Sequence, residues 1–128
     1  MRLLLDTHLV VWAFDNPAKL SRTAVTLLAD ERNELVFSAL SIWEAAIKSA
    51  LQKKGFKIDA YALRRGLLDN GYTELPVTSA HAVAVYSLPT IHKDPFDRLL
   101  IAQALELRIP ILSNDVVLDL YGVSRIWD

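Results

Sequence analysis

Three observations predict an α/β domain built on a mainly parallel sheet. Short all-apolar runs, Leu3-Leu4-Leu5, Leu35-Val36-Phe37 and Ile109-Pro110-Ile111-Leu112, read as strands buried on both faces. Segments of helical period alternate with them. No repeat, low-complexity tract or Gly/Ser linker interrupts the 128 residues, so 1–128 are expected to form one domain.

Composition narrows the function classes. The chain is 52% hydrophobic, enough for one core. No apolar run approaches the roughly 18 residues of a membrane span, so no membrane association is expected. Met1-Arg2-Leu3-Leu4-Leu5 resembles a signal peptide only superficially, because Asp6 and His8 interrupt the apolar region and no small-residue cleavage site follows. The absence of cysteine excludes disulfides, thiolate metal sites and cysteine catalysis, and fits a cytoplasmic setting. A net charge of −1 provides no global field for nucleic acid.

Each element has a local reason. Leu9 to Phe14 fits a strand or a short helix; the turn signal Asp15-Asn16-Pro17 favours a helix that stops before it. Ser21 caps a helix to about Arg32, with Ala24, Leu27 and Leu28 inward. Ser41-Ile42-Trp43-Glu44 opens a helix to about Lys54, with Trp43, Ala46, Ile47, Ala50 and Leu51 at helical spacing and Gly55 as its stop. Asp59 caps a helix to about Asp69, closed by Asn70-Gly71. Thr73-Glu74-Leu75 is a weak strand, and Thr78 or Ser79 caps a helix to about Tyr86. A loop with His92 and Lys93 follows Pro89. Asp94-Pro95-Phe96-Asp97 is a strong helix start, with Asp at the cap, Pro at the first position and an acid three residues on. The helix it opens, to about Arg108, is apolar on most sides and therefore buried. After the Ile109–Leu112 strand, Ser113-Asn114-Asp115 turns into a short helix ending near Gly122, and Ser124 to Trp127 forms an edge strand.

Four acids share one structural address. Asp6 follows the first strand, Glu44 lies in the first turn after the second, Asp97 opens the buried helix, and Asp115 follows the Ile109–Leu112 strand. In a parallel sheet, strand ends and the following helix starts lie at one rim, where ligands gather. Asp97 reaches that rim only if the Thr73–Leu75 segment carries its helix there. Capping explains each acid singly: Ser41 to Glu44 has capping-box spacing, and Asp115 suits an N-cap. Capping does not explain why every strand end supplies an acid with no nearby base. Carboxylates in one cleft repel unless a cation joins them, and oxygen-only ligands suit Mg²⁺ or Mn²⁺ rather than zinc.

At these residues the sequence resembles the PIN-domain ribonucleases, most closely the VapC-type toxins of toxin–antitoxin pairs. The matching segments are Leu3-Leu4-Leu5-Asp6-Thr7-His8, Ser41-Ile42-Trp43-Glu44 with Lys48, Asp94-Pro95-Phe96-Asp97-Arg98 with Ala102-Gln103-Ala104, and Leu112-Ser113-Asn114-Asp115. The resemblance implies about five parallel strands with helices on both faces. It implies a Mg²⁺-dependent endoribonuclease that leaves a 5′-phosphate and a 3′-hydroxyl. Asp6 and Asp97 would be the most direct metal ligands, with Glu44 and Asp115 completing the site directly or through water. Ser113 stands where the family often has Thr. Asp94 also matches, though its Asp-Pro context fits a cap better. Toxins of this kind pair with an antitoxin whose tail blocks the cleft, and they usually dimerise. Trp12, Phe14, Phe56 and Tyr61 are candidates for such contacts, with core packing the default for each.

Residues around the acids have two readings each. Thr7 holds Asp6 or substrate, or caps the following helix. His8 is close enough to Asp6 to touch substrate, although a lone His at a strand end is more often structural; His81 and His92 rank below it. Lys48, Lys53, Lys54, Lys57, Arg64 and Arg65 form either a solvated helical face or a phosphate-tracking patch beside the acids. Lys48 could instead pair with Glu44 at i,i+4. Arg98 either meets phosphate or balances the acids. Asp119 is expected to face solvent. A non-catalytic PIN-like module that binds RNA or protein is the rival function; a metal-dependent phosphatase or DNA nuclease would use similar carboxylates. Asp6→Asn is expected to abolish cleavage, keep the fold and relieve crowded charge.

Overall fold

Five strands, β1 (Arg2–Leu5), β2 (Glu34–Ser38), β3 (Thr73–Leu75), β4 (Ile111–Leu112) and β5 (Arg125–Ile126), form one parallel sheet in the order β3-β2-β1-β4-β5. This computed structural model describes residues 1–54, 56–92 and 94–127. The expected α/β fold is therefore observed, with β1 as its middle strand. Register pairs Leu3 with Leu35 and Leu4 with Ile111.

The apolar runs bury alternate side chains on opposite faces, as a covered parallel sheet requires. Leu3, Leu5, Leu35, Phe37 and Leu112 join one core cluster; Leu4, Val36 and Ile111 join the other. Helices α1 (Thr7–Asp15), α2 (Arg22–Ala29) and α4 (Ala60–Asp69) cover the first face through Leu9, Val10, Ala24, Leu63 and Leu67. Helix α6 (Pro95–Leu107) and a 3-10 helix over Val116–Tyr121 cover the second through Leu100, Ile101, Ala104, Leu118 and Tyr121. The expected caps are present: Ser21 accepts from Ala24 N–H, Asp59 from Tyr61 and Ala62, and Asp94 from Phe96. Thr78 caps α5 (Ser79–Ala84) in a capping box with His81. No helix among the described residues is long and apolar enough to cross a membrane.

One helix departs from expectation. Helix α3 spans Ala39–Ala50 and is capped by Ser38, whose side chain accepts from Leu40 N–H. It starts before Ser41, so Ser41 is not its cap and Glu44 lies beyond the first turn. Gly55, the expected stop, lies outside the described residues, as do Lys93 and Asp128. The buried face is Leu40, Ser41, Glu44 and Ala45, whereas Trp43, Ala46 and Ala50 are exposed. Apolar spacing is the same for the two faces; the polar stripe Ser41, Glu44, Lys48 is the one turned inward. Other bounds are shorter than expected: α2 ends at Ala29 and β4 keeps only two residues.

Candidate metal centre

The carboxyl end of β1 fixes the first acid. Asp6 N–H donates to Leu112 C=O at 3.0 Å, continuing the β1–β4 ladder by one residue. Asp6 caps α1, its Oδ1 accepting from His8 N–H at 3.1 Å, and its Oδ2 accepts from the Ser113 hydroxyl at 2.6 Å. Ser113, at the end of β4, is fully buried and its Oγ also accepts from Asp115 N–H at 3.1 Å. Burial alone would raise the Asp6 carboxyl. The His8 side chain, the Ser113 hydroxyl and the His8 N–H outweigh it and hold the carboxyl below the ordinary carboxylate range. The His8 ring is 3.8 Å from Asp6 Oδ1 and half exposed; Asp6 raises its pKa against the opposing effect of burial.

Thr7 is not a cap, because Asp6 has that role. Its hydroxyl bonds the buried Ser41 hydroxyl at 2.8 Å, tying the start of α1 to α3. That tie sets α3 beside the rim and turns Glu44 into the protein, where it is 2% exposed. Glu44 Oε2 pairs with Lys48 Nζ at 2.5 Å, so the i,i+4 alternative for Lys48 is the observed one. Glu44 Oε1 is buried without a hydrogen-bond partner among the described residues.

Helix α6 brings Asp97 in its first turn. Burial, then the charges of Asp6, Asp94 and Glu44, push its carboxyl up to about 7, against the lowering pull of His92. Asp115 caps the Val116–Tyr121 helix with Oδ1, accepting from Val117 N–H, and turns Oδ2 to His92 Nε2 at 3.3 Å. His92 Nε2 is 3.1 Å from Asp97 Oδ2. One ligand atom from each of His92, Asp97 and Asp115 lies within 4.8 Å of the others. His92 thus belongs to the centre, above His8 in contact with the acids. Its loop position offers no periodicity to reveal it; its closeness to Asp94 and Asp97 in sequence was the available signal. His81 is buried and engaged elsewhere, its Nδ1 accepting from Thr78 N–H at 3.1 Å and lying 3.3 Å from Gln103 Nε2.

Other predicted residues divide. Asp94 is the α6 cap and lies 3.8 Å from Lys48 Nζ. Arg98 spends its guanidinium on the carbonyls of Pro89, His92 and Val85, so it holds the loop before α6. Arg64 pairs with Glu74. Lys53 and Lys54 are exposed. Asp119 is exposed and pairs with Arg125. Phe56 is core, whereas Tyr61 is 90% exposed.

The residues present fit a divalent ion. A donor set of carboxylates with one imidazole, gathered within 4.8 Å, and a carboxyl pushed to about 7 by burial and then by its neighbours' charge both call for a cation.

An open parallel sheet with acids gathered at the carboxyl ends of its strands defines a carboxylate-centred α/β domain. The PIN domain family model matches residues 3–123, and the chain belongs to that family. VapBC2 from Rickettsia felis, in a structure bound to a DNA fragment from their promoter, matches with TM-score 0.75 at 16% identity over 100% of both chains. VapC20 from Mycobacterium tuberculosis, described as a Sarcin-Ricin loop cleaving toxin, matches with TM-score 0.69 at 16% identity, over 98% of this chain and 99% of that one. FitAcB from Neisseria gonorrhoeae matches with TM-score 0.61 at 17% identity, over 98% and 96%. No curated protein matches the sequence.

Proposed function

We propose that this chain is a metal-dependent endoribonuclease, the toxin of a cytoplasmic toxin–antitoxin pair. It holds Mg²⁺, with Mn²⁺ as substitute, through Asp6, Asp97 and Asp115, and Glu44 belongs to the same acid set. The observation that carries this reading is the gathering of acids at the rim, where Asp97 and Asp115 meet on His92 with ligand atoms within 4.8 Å, beside the buried Asp6 and Glu44. The toxin assignment is supported by the similarity to VapBC2 and FitAcB, with a cognate antitoxin and a second copy of the chain as partners.

A bound divalent ion would neutralise charge gathering on a phosphodiester and make an attacking water more acidic. The protein's own contribution is preorganisation. Ser113 keeps Asp6 ionised and aimed. His92 spans Asp97 and Asp115, and the Thr7–Ser41 bond holds α3 against the rim. No pair of histidines is placed for metal-free RNA cleavage among the described residues: His81 is buried elsewhere, and His92 is engaged by two acids.

The test is incubation with total RNA in Mg²⁺ or in EDTA, beside Asp97→Asn. Fragments are expected only with Mg²⁺, and Asp97→Asn should cut about 100-fold less or slower still. Absence of metal-dependent cleavage across several RNAs would make the chain a binding module. Undiminished cleavage by Asp97→Asn would refute the site.

A further inference from the structure

The acid set already contains a cation. Lys48 Nζ pairs with Glu44 Oε2 and lies 3.8 Å from Asp94 Oδ2. It also stands over the Phe56 ring at 5.1 Å and the Phe96 ring at 5.6 Å from their centroids. Two carboxylates and two aromatic faces therefore surround one ammonium. An ordinary i,i+4 pair lies on a wet helix surface and contributes a few tenths of a kcal/mol. This one differs, because Glu44 is only 2% exposed and would be an uncompensated buried charge without Lys48.

The acids accordingly fall into two groups. His92 Nε2 meets Asp97 and Asp115, and Ser113 holds Asp6; among the described residues, Lys48 forms its ion pairs with Glu44 and Asp94 and not with these three acids. Glu44 and Asp94 are the two that Lys48 approaches. Phosphodiester hydrolysis with paired ions places a positive charge on each side of the reacting phosphorus.

We infer that Lys48 is the built-in second cation of this centre, so that the site takes one divalent ion and Glu44 acts as the positioning residue of Lys48. This rests on the metal-dependent reading above. It assigns Glu44 a partner other than the ion, and it gives Lys48 a part that a simple helix-stabilising pair would not have.

Mn²⁺ stoichiometry tests this without reference to activity. The wild-type chain, Lys48→Ala, Lys48→Ala/Glu44→Gln and Asp97→Asn would be titrated with Mn²⁺, followed by calorimetry and by electron paramagnetic resonance. One ion is expected for wild type. Lys48→Ala should gain a second ion at the vacated carboxylates and be stabilised by Mn²⁺ more than wild type. Lys48→Ala/Glu44→Gln removes both charges, so it is expected to fold even if the single variant does not, and to return to one ion. Asp97→Asn should lose the wild-type ion. Two ions in wild type, or a single ion in a folded Lys48→Ala, would overturn the inference while leaving the nuclease reading intact. No ion in wild type would overturn both. If Lys48→Ala does not fold, two ions in Lys48→Ala/Glu44→Gln would equally overturn it, because the second ion would then not depend on Glu44.

Discussion

Asp6 and Asp97 stand at the same rim, yet their surroundings push them in opposite directions. Asp6 is more buried, but it accepts from Ser113 and from the His8 N–H, and its carboxyl stays low. Burial, then the charges of Asp6, Asp94 and Glu44, push the Asp97 carboxyl up to about 7, with His92 as the counterweight. Burial raises both carboxyls; at Asp6 the His8 side chain, the Ser113 hydroxyl and the His8 N–H overturn it. Asp6 is an anion the fold has already compensated. Asp97 is the acid whose ionisation waits on an incoming cation. Environments that separate two like groups in this way mark different roles in one centre.

The largest expected effect breaks the compensated side. Asp6→Ala removes the α1 cap and leaves the buried Ser113 hydroxyl without its acceptor. Cap loss costs about 0.5–2 kcal/mol and an unmet buried donor about 1–3 kcal/mol, so about 2–4 kcal/mol of stability should disappear. Urea unfolding without metal measures this; a loss below about 1 kcal/mol would mean that the fold does not depend on Asp6. Asp6→Asn keeps a capping oxygen and should cost less, about 1 kcal/mol. The expectation that removing the Asp6 charge relieves crowding therefore moves to the other acid, because Asp6 is the one whose charge is well solvated by donors.

Asp97→Asn should stabilise the metal-free protein, and only at higher pH. The folded value of about 7 lies above the ordinary 3.8, so the native state holds this proton more tightly than the unfolded chain does. That contribution is fully present below pH about 4 and is lost as pH rises through 7. With each unit of displacement equivalent to about 1.4 kcal/mol and water reaching part of the site, the variant should gain about 1–3 kcal/mol at pH 8 and almost nothing near pH 4. Thermal melts in EDTA across that range give the comparison. An equal gain at both pH values would show that Asp97 is not the crowded acid. Saturating Mg²⁺ should erase the wild type's deficit, because the ion supplies what the variant removes.

The compensated side was the more legible in sequence. Leu3-Leu4-Leu5 ending in Asp6 marked a buried central strand, and Asp94-Pro95 marked the start of α6; both are observed. The expected convergence of Asp97 on the rim depended on β3, which does pair parallel to β2. What the pattern could not show was rotation. In α3 the apolar residues and the stripe Ser41, Glu44, Lys48 both repeat at helical spacing, and it is the packing of Leu40 and Ala45 into the two core clusters, with the Thr7–Ser41 bond, that turns the stripe inward. His92 was illegible for another reason: it sits in a loop, and it meets Asp115 across 23 residues of chain. Tertiary contacts of this kind leave no period behind.

The smallest effect sharpens the comparison from the open side. Among the described residues, His92 pulls Asp97 downward, through Nε2 at 3.1 Å. His92→Gln keeps a polar side chain in the loop but carries no charge at any pH. Asp97 should then titrate higher than about 7, by a fraction of a unit, whereas Asp6, which has donors of its own, should not move. Stability should change by less than about 1 kcal/mol, since the contact is partly open to water. Carboxyl ¹³C shifts followed over pH in the metal-free protein read both acids in one experiment. Equal movement of Asp6 and Asp97 would mean that His92 acts on the rim as a whole, and the division between a compensated acid and a waiting one would not hold.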